Sequence, residues 1–299
     1  MDSIFLYAHA KINLTLDVLY KRPDNYHEIR SIMQSIGIAD RLKLKKIDKG
    51  IDLKTNGKIR ATRDNLAYTA AEKFFQASGL IGGVEIFLEK NIPIAAGLAG
   101  GSADAAAVLY GLNQLYDEIF SVEQLQVLGG SFGADIPFCL VGGTMLAEGI
   151  GEKLTKLPSI PELSIVLIQI DYFVPTKEVY QSLTKELFGD KYSNRMITVL
   201  EKLSDSSDIQ LARCMGNALE DVTIQKCPEI TQWKKRLLAH GALGALMSGS
   251  GPTVYGLFDR LEDAQDFYRH WADEGNIIIT KPSTSGVSLV QNWEGTDES

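Results

Sequence analysis

Residues 93–104 read PIAAGLAGGSAD, and an alanine-rich run follows them. Three glycines and four alanines leave almost no side-chain bulk, and the run that follows predicts a helix from about Ser102 to Tyr116. Backbone N–H groups of such a loop can approach a charged ligand closely, and the positive end of the helix dipole adds to the attraction. The stretch therefore predicts an anion-binding loop in which the Ser102 hydroxyl can reach a phosphate oxygen or Mg²⁺.

Two widespread phosphate-binding patterns are excluded, because neither Gly-x-x-x-x-Gly-Lys-Ser/Thr nor Gly-x-Gly-x-x-Gly occurs in the chain. The pattern alone leaves open an alternative to an anion-binding loop, namely a glycine-containing turn that allows tight packing of the helix. A second glycine stretch at 248–252 precedes a strand and is interpreted as a turn, although beside the first loop it could close over a phosphate. Asp104 is interpreted as a favourable charge for the helix dipole.

The composition excludes several classes of protein. A net charge of −8 is the wrong sign for a protein that binds nucleic acid or an anionic membrane. No stretch approaches the roughly 18 apolar residues that span a bilayer, and Lys11 interrupts an N-terminal segment that lacks the features of a signal peptide. Cys139, Cys214 and Cys227 are widely spaced and form no metal-binding or disulfide pattern. These features predict a cytoplasmic protein.

Strand-like and helix-like segments alternate along the chain. Asp64 and Asn65 are expected to cap a helix that ends before Gly79. Pro158 and Pro161 mark the best boundary, because prolines so close together cannot continue a helix or a central strand. We therefore expect two lobes, residues 1–160 with the glycine loop and residues 161–299. The strands expected are 4–19, two strands within 40–53, 84–89, 163–170 and 253–258; the helices are 66–78, 102–116, 122–129, 196–203, 230–240 and 261–271.

Three separated segments resemble the motifs of the GHMP small-molecule kinases: AKINL at 10–14, the glycine stretch from 93 to 107, and SGSGP at 248–252. Further segments resemble the members whose acceptor is a cytidine diphosphate derivative of methylerythritol. They are DNYH at 24–27, GADIPF at 133–138 and PTKEVY at 175–180. All six appear in family order, and the resemblance covers about residues 5 to 260.

The resemblance implies a two-lobed GHMP-kinase fold. Its N-terminal lobe would be like domain 2 of ribosomal protein S5, its C-terminal lobe would be α+β, and the substrate would lie between them. It implies ATP with Mg²⁺ and a small-molecule acceptor phosphorylated on a hydroxyl group, with no nucleic acid or membrane partner. We expect a monomer or a weak homodimer. Two alternatives stay open: a GHMP kinase for homoserine or mevalonate, and a non-catalytic ligand sensor on the same fold.

The resemblance also assigns roles to individual residues. Asp135 would accept or orient the proton of the acceptor hydroxyl, and Lys11 would stabilise developing negative charge beside it. Without the family, Asp135 would be interpreted as a helix cap or a surface carboxylate. No dedicated metal ligand is expected. The acceptor would contact Asn13, Tyr26, His27, Thr176 and Tyr180, with the tyrosines stacked on the base and His27 at its edge. The nucleotide would contact Asn65, Leu66, Pro93, Ala95, Ala96, Gly97, Leu98, Ala99, Gly100, Gly101, Ser102 and Ala103.

Overall fold

The computed structural model describes residues 2–202 and 208–290, which form two β-sheets covered by helices. The strands are β1 (Ser3–Lys21), β2 (His27–Ile47), β3 (Gly50–Thr55), β4 (Gly83–Glu89), β5 (Thr144–Gly149), β6 (Lys153–Lys156), β7 (Ser164–Gln169), β8 (Gly216–Asn217), β9 (Gly244–Met247), β10 (Val254–Phe258), β11 (Asn276–Thr280) and β12 (Val287–Leu289). The helices are α1 (Leu66–Ser78), α2 (Gly100–Leu115), α3 (Val122–Gly130), α4 (Ile136–Val141), α5 (Thr176–Gln181), α6 (Ser193–Glu201), α7 (Asp208–Arg213), α8 (Glu220–Lys226), α9 (Glu229–Ala239) and α10 (Leu261–Trp271).

The first sheet is built on the long antiparallel pair β1 and β2. Its strand order is β12-β1-β2-β4-β3, with β5 and β6 attached beside β2 and the short β8 beside β1. Along β1 the first residues alternate between buried and half-buried, whereas every residue from Ala10 to Val18 is buried. The polar side chains of Lys11 and Asn13 therefore lie inside the protein, where they require polar partners.

The second sheet is antiparallel, in the order β11-β7-β10-β9, and its strands contribute to both hydrophobic clusters of the core. The chain leaves the first sheet after β6 and enters the second at β7, and it returns through β8 and β12 to pair with β1. The α+β fold predicted from the sequence is confirmed, with two sheets. The lobe boundary at residue 160 stays a prediction. The last residues of the predicted second lobe, 291–299, lie outside the described part of the chain.

The local signals located most helices well. Asn65 caps α1, since its side-chain oxygen accepts a hydrogen bond from the Ala67 N–H at 2.9 Å, and Gly79 ends the helix with φ of 66°. The glycine-loop helix begins at Gly100, two residues before the expected start. Strand β2 begins at His27, whereas the sequence predicted a strand only from Asp40. Residues 31–36 are buried without a break, so they lack the alternation that identifies a strand.

None of the helices in residues 2–202 and 208–290 is both long and apolar enough to cross a membrane.

A buried cluster of three charged side chains lies beneath the glycine loop. The Lys90 ammonium contacts one carboxylate oxygen of Asp40 and, at 2.7 Å, one of Asp104. All three side chains are buried. The expectation that Asp104 serves the helix dipole is wrong, because this side chain points inward to pair with Lys90.

The two carboxylates of this cluster are not equivalent. The second oxygen of Asp40 accepts hydrogen bonds from the N–H groups of Asn91 at 2.5 Å and Ile92 at 2.8 Å. The second oxygen of Asp104 is buried and makes no hydrogen bond to the described residues. Burial raises the pKa of Asp104 well above its usual range, and the charge of Asp40 acts in the same direction against the opposing effect of Lys90. We infer that burial favours the protonated form of Asp104.

This asymmetry predicts opposite results for two matched substitutions. Asp40→Asn should lower the free energy of unfolding by about 3–5 kcal/mol, because it removes the better-bonded partner of a buried ammonium. Asp104→Asn should cost much less, because the amide resembles the protonated carboxyl. The folded-state pKa of Asp104 is raised, so the wild type loses stability relative to Asp104→Asn as the pH rises above about 4. Urea unfolding at pH 4.5 and 7.5 measures both effects.

If the two variants lose equal free energy of unfolding at pH 7.5, the Asp104 carboxylate contributes as much to stability as that of Asp40, and the proposed asymmetry is wrong. The same conclusion would follow if the difference between Asp104→Asn and the wild type did not change with pH.

Candidate active site

A cavity of about 1370 Å³ is lined by strand residues of the first sheet and by loops and helices that follow strands of both sheets. It brings together the predicted site residues from six separate parts of the chain. Ala103 alone among them is not on the wall, because its side chain lies on the buried face of α2. The residues on the wall are Lys11, Asn13, Tyr26, His27, Asn65, Leu66, Pro93, Ala95, Ala96, Gly97, Leu98, Ala99, Gly100, Gly101, Ser102, Asp135, Thr176 and Tyr180.

The glycine loop has an irregular backbone that exposes amide groups. Ala95, Gly97 and Ala99 all have positive φ, at 54°, 76° and 57°. Left-handed alanines are unfavourable and persist only where the surrounding structure holds them, often at ligand sites. Ala99 precedes α2 and provides no side-chain cap, and the first helical hydrogen bond runs from the Ala103 N–H to the Ala99 carbonyl at 2.9 Å. The backbone N–H groups of residues 100–102 have no acceptor within the helix, so they are available to an anion.

The second glycine stretch forms a turn that lies directly against the first. The Ser248 hydroxyl donates a hydrogen bond to the Gly97 carbonyl oxygen at 3.0 Å. A Cβ atom on Gly97 would overlap the Ser248 carbonyl oxygen, so only glycine permits this approach. Gly249 and Gly251 also have positive φ and line the cavity. The two loops together form one rim of the site.

Two polar side chains that the sequence reasoning missed hold this turn in place. The Asn217 amide donates hydrogen bonds to the carbonyl oxygens of Met247 at 2.9 Å and Gly249 at 2.8 Å. One carboxylate oxygen of Glu220 accepts from the Met247 N–H at 2.8 Å. No local pattern could have revealed them, because about 30 residues of sequence separate donor and acceptor.

Lys11 and Asp135 form the charged centre of the cavity. The Lys11 ammonium lies 3.8 Å from an Asp135 carboxylate oxygen and donates a hydrogen bond to the Asn13 side-chain oxygen at 2.8 Å. The Asn13 amide donates in turn to the Ser31 hydroxyl at 2.8 Å. Asp135 is the residue immediately before α4, at its N-cap, but its side chain makes no capping hydrogen bond and is about a third exposed. Its carboxylate is therefore accessible from the cavity.

Aromatic side chains line another part of the cavity wall. The rings of His27 and Tyr180 stack with centroids 5.3 Å apart, and Tyr26 beside them is 61% exposed. Partial burial and the nearby charge of Lys21 lower the pKa of His27, so the imidazole is neutral near pH 7. Burial and the charge of Asp135 raise the pKa of Tyr180, so its hydroxyl keeps its proton. A neutral imidazole offers one donor and one acceptor to a ligand.

Asn65 and Leu66 lie on the wall at the start of α1. The Asn65 side chain caps this helix, as its bare sequence indicated, and it also lines the cavity. The Leu66 side chain comes within 3.4 Å of the position that a Cβ on Gly101 would take. An apolar side chain thus borders the amide-rich loop.

Comparison with known proteins gives consistent matches. The family described as GHMP kinases N terminal domain matches residues 65–143, and GHMP kinases C terminal matches residues 197–277. The 4-diphosphocytidyl-2-C-methyl-D-erythritol kinase of Pelotomaculum thermopropionicum is 46% identical over 277 residues, which cover 92% of this chain and 96% of that protein.

Two solved structures are similar along almost the whole chain. A crystal structure of 4-(cytidine 5'-diphospho)-2C-methyl-D-erythritol kinase superposes with a TM-score of 0.80 at 34% identity, covering 94% of this chain and 99% of that one. The homoserine kinase from Cytophaga hutchinsonii has a TM-score of 0.79 at 22% identity, covering 97% and 98%, and shares the fold. The chain therefore belongs to the GHMP kinase family and is a small-molecule kinase, for which the family implies ATP as the phosphoryl donor.

Proposed function

We propose that this kinase transfers the γ-phosphoryl group of ATP to the 2-hydroxyl of 4-diphosphocytidyl-2-C-methyl-D-erythritol, a step in the non-mevalonate route to isoprenoid precursors. The observation that carries the proposal is the shared cavity. Its wall combines a loop rich in backbone amides, the Lys11–Asp135 pair, and a neutral His27 stacked on Tyr180. Relatives at 44–46% identity over most of the chain are named as kinases of this acceptor.

The glycine loop would hold the phosphates of ATP. Its amides at the start of α2 point to a site where the helix dipole also favours negative charge. The turn at 248–251 limits how far this loop can move, because the Ser248 hydroxyl donates a hydrogen bond to the Gly97 carbonyl oxygen. Asn65 and Leu66 lie beside the loop and would contact the adenosine part.

Mg²⁺ fits this cavity as a partner of ATP. At nucleotide sites this ion keeps several waters and takes other ligands from the phosphates, so the protein need supply only one or two oxygens. The Ser102 hydroxyl is a wall group suited to that role. When bound, the ion would neutralise part of the charge on the transferred group.

Lys11 and Asp135 would act on the acceptor hydroxyl. The hydroxyl oxygen forms a bond to the γ-phosphorus while the bond from that phosphorus to the ADP oxygen breaks. The hydroxyl proton passes to, or is oriented by, the Asp135 carboxylate. The Lys11 ammonium, held by Asn13 at 2.8 Å, stabilises the negative charge that develops on the transferred oxygens.

The cytidine end of the acceptor would be recognised by His27, Tyr26 and Tyr180. The neutral His27 can read the donor and acceptor pattern of the cytosine edge, and the tyrosine rings offer stacking surfaces. Thr176 shares a hydrogen bond of 2.8 Å with Ser250, which connects this region to the second glycine turn. Asn13 lies deeper and would contact the polyol.

We further infer a cytoplasmic location. The three cysteines are free and buried, which suits a reducing compartment. A monomer or weak homodimer remains our expectation for the assembly.

The first prediction concerns the choice of acceptor. Purified protein should consume ATP with 4-diphosphocytidyl-2-C-methyl-D-erythritol and leave homoserine and mevalonate essentially unphosphorylated, because only the first acceptor carries a base for the aromatic wall. A coupled ADP assay with each acceptor in turn measures this. Comparable turnover of homoserine or mevalonate would assign the enzyme to another acceptor, and binding without turnover of any acceptor would indicate a ligand sensor.

Asp135→Asn should lower kcat by roughly 10²–10⁴, the range expected for a positioned acid–base group. The KM values for ATP and acceptor should change little, because the amide has nearly the same shape as the carboxylate. Steady-state kinetics measure the effect, and thermal unfolding confirms that the variant is folded. A kcat within a few-fold of wild type would show that another group handles the proton.

Gly101→Val should weaken ATP binding at least tenfold, because its branched side chain would enter the space of the phosphates. A Cβ here would meet only Leu66, at 3.4 Å, so the protein itself has room for it. Gly130→Val is the matched control, since a Cβ there meets only Pro137 at the same distance and the residue lies off the cavity wall. Calorimetry with a non-hydrolysable ATP analogue measures both variants. Equal affinities would show that the loop does not hold the phosphates.

A further inference from the structure

Phe173 is a large apolar side chain that lies on the cavity wall and is 69% exposed. The sequence motifs give it no role, although it stands two residues before the segment that resembles the acceptor-binding motif. Its neighbour Tyr172 is 42% exposed but is not part of the wall. Leaving a phenylalanine ring in water forgoes the free energy that its burial would provide. A ligand in the cavity can recover that free energy.

The segment around Phe173 is anchored on both sides. Ile170 and Val174 are both buried, at 5% exposure, and the Tyr172 N–H donates a hydrogen bond to the Ile170 carbonyl at 2.9 Å. Three residues further along the chain, the Thr176 hydroxyl shares a hydrogen bond of 2.8 Å with the Ser250 hydroxyl. The exposure of the Phe173 ring is therefore set by its place in the fold, because the backbone on either side is tied down.

The aromatic side chains on the cavity wall differ in how much of their rings is free to contact a ligand. Tyr180 already stacks on His27 at 5.3 Å, so one face of its ring is covered. Tyr26 and Phe173 are the two exposed aromatic side chains among the described wall residues, at 61% and 69%. A base bound beside His27 presents two faces, and an aromatic ring can stack on each of them.

The position along the chain indicates which ligand Phe173 meets. It precedes α5, which carries Thr176 and Tyr180, whereas the amide-rich loop belongs to the start of α2. The nucleoside half of the acceptor is the part that would lie against α5. It is also the apolar and aromatic part of that molecule, and so it is the part that can cover a phenylalanine ring.

We propose that Phe173 packs against the nucleoside half of the acceptor and covers it from solvent, as a specificity-determining residue of this kinase. The inference rests on the proposed function, since it takes the acceptor to be a cytidine diphosphate derivative. It adds to the binding set a residue outside the motifs that identify the family.

The test compares Phe173→Ala with Tyr172→Ala, a matched loss of an exposed aromatic ring from the next position. Phe173→Ala should raise the KM for the acceptor roughly tenfold, the loss expected for one aromatic stacking contact. Its kcat and its KM for ATP should stay within a few-fold of wild type. Phe173→Tyr should restore the acceptor KM, and Tyr172→Ala should leave it unchanged.

Calorimetry with CMP and with AMP provides a second measurement that does not depend on turnover. Phe173→Ala should weaken CMP binding by a similar factor and leave AMP binding unchanged. If both alanine variants give the same acceptor KM and CMP affinity as wild type, Phe173 makes no such contact. If the KM for ATP or the AMP affinity changes instead, the residue belongs to the donor side and the inference is overturned.

Failure of the proposed function has a different signature. A wild-type enzyme that does not phosphorylate the cytidine acceptor refutes that function, whereas turnover by the wild type with an unaffected Phe173→Ala variant refutes only the role of Phe173.

Discussion

Two backbone segments meet where the glycine loop at 93–101 contacts the turn at 248–251, and the site depends on that contact. Gly97 adopts a positive φ of 76°, and its carbonyl oxygen accepts the Ser248 hydroxyl at 3.0 Å. Any Cβ on Gly97 would overlap the Ser248 carbonyl oxygen. The loop precedes the helix that packs on the first sheet, and the turn joins β9 to β10 of the second sheet. Their contact therefore fixes the distance between the parts proposed to hold donor and acceptor.

Strand β1 carries the polar residues of the site through the interior of the protein. Burial on both faces from Ala10 to Val18 leaves the Lys11 side chain only 6% exposed, at the cavity wall, so its ammonium depends on Asn13 and on the carboxylate of Asp135. A backbone hydrogen bond also joins this strand to the glycine loop, since the Lys11 N–H donates to the Leu98 carbonyl oxygen at 3.1 Å. The charge proposed to stabilise transfer is thus placed by the same strand that supports the proposed phosphate site.

A second set of buried charges supports the loop from below. Lys90 bridges Asp40 and Asp104, and its ammonium lies 3.2 Å from the position that a Cβ on Gly100 would take. A side chain at Gly100 would therefore disturb the buried cluster as well as the cavity. This explains why Gly101 is the better position at which to test phosphate binding.

Local signals in the sequence were sufficient for several elements. The helix from Leu66 to Ser78 was predicted from its cap at Asn65 and its glycine terminator, because both act through neighbouring backbone atoms. The part of β2 before Asp40 was missed, because burial on both faces removes the alternation on which strand prediction relies. Asp104 was misinterpreted for a related reason: its partner Lys90 lies 14 residues away and meets it only in the folded chain.

By itself, the sequence determined the loop–helix junction and the family, since these depend on residue types at short spacing, and the α+β class followed from the resemblance to that family. Most of the proposed site residues could also be named from motifs, because each motif is a contiguous segment. Only the tertiary structure decided that these segments share one cavity, that Asn217 and Glu220 hold the second glycine turn, and that Phe173 stands exposed on the wall. Each of these depends on contacts between residues distant in sequence, and no local pattern of side chains encodes such contacts.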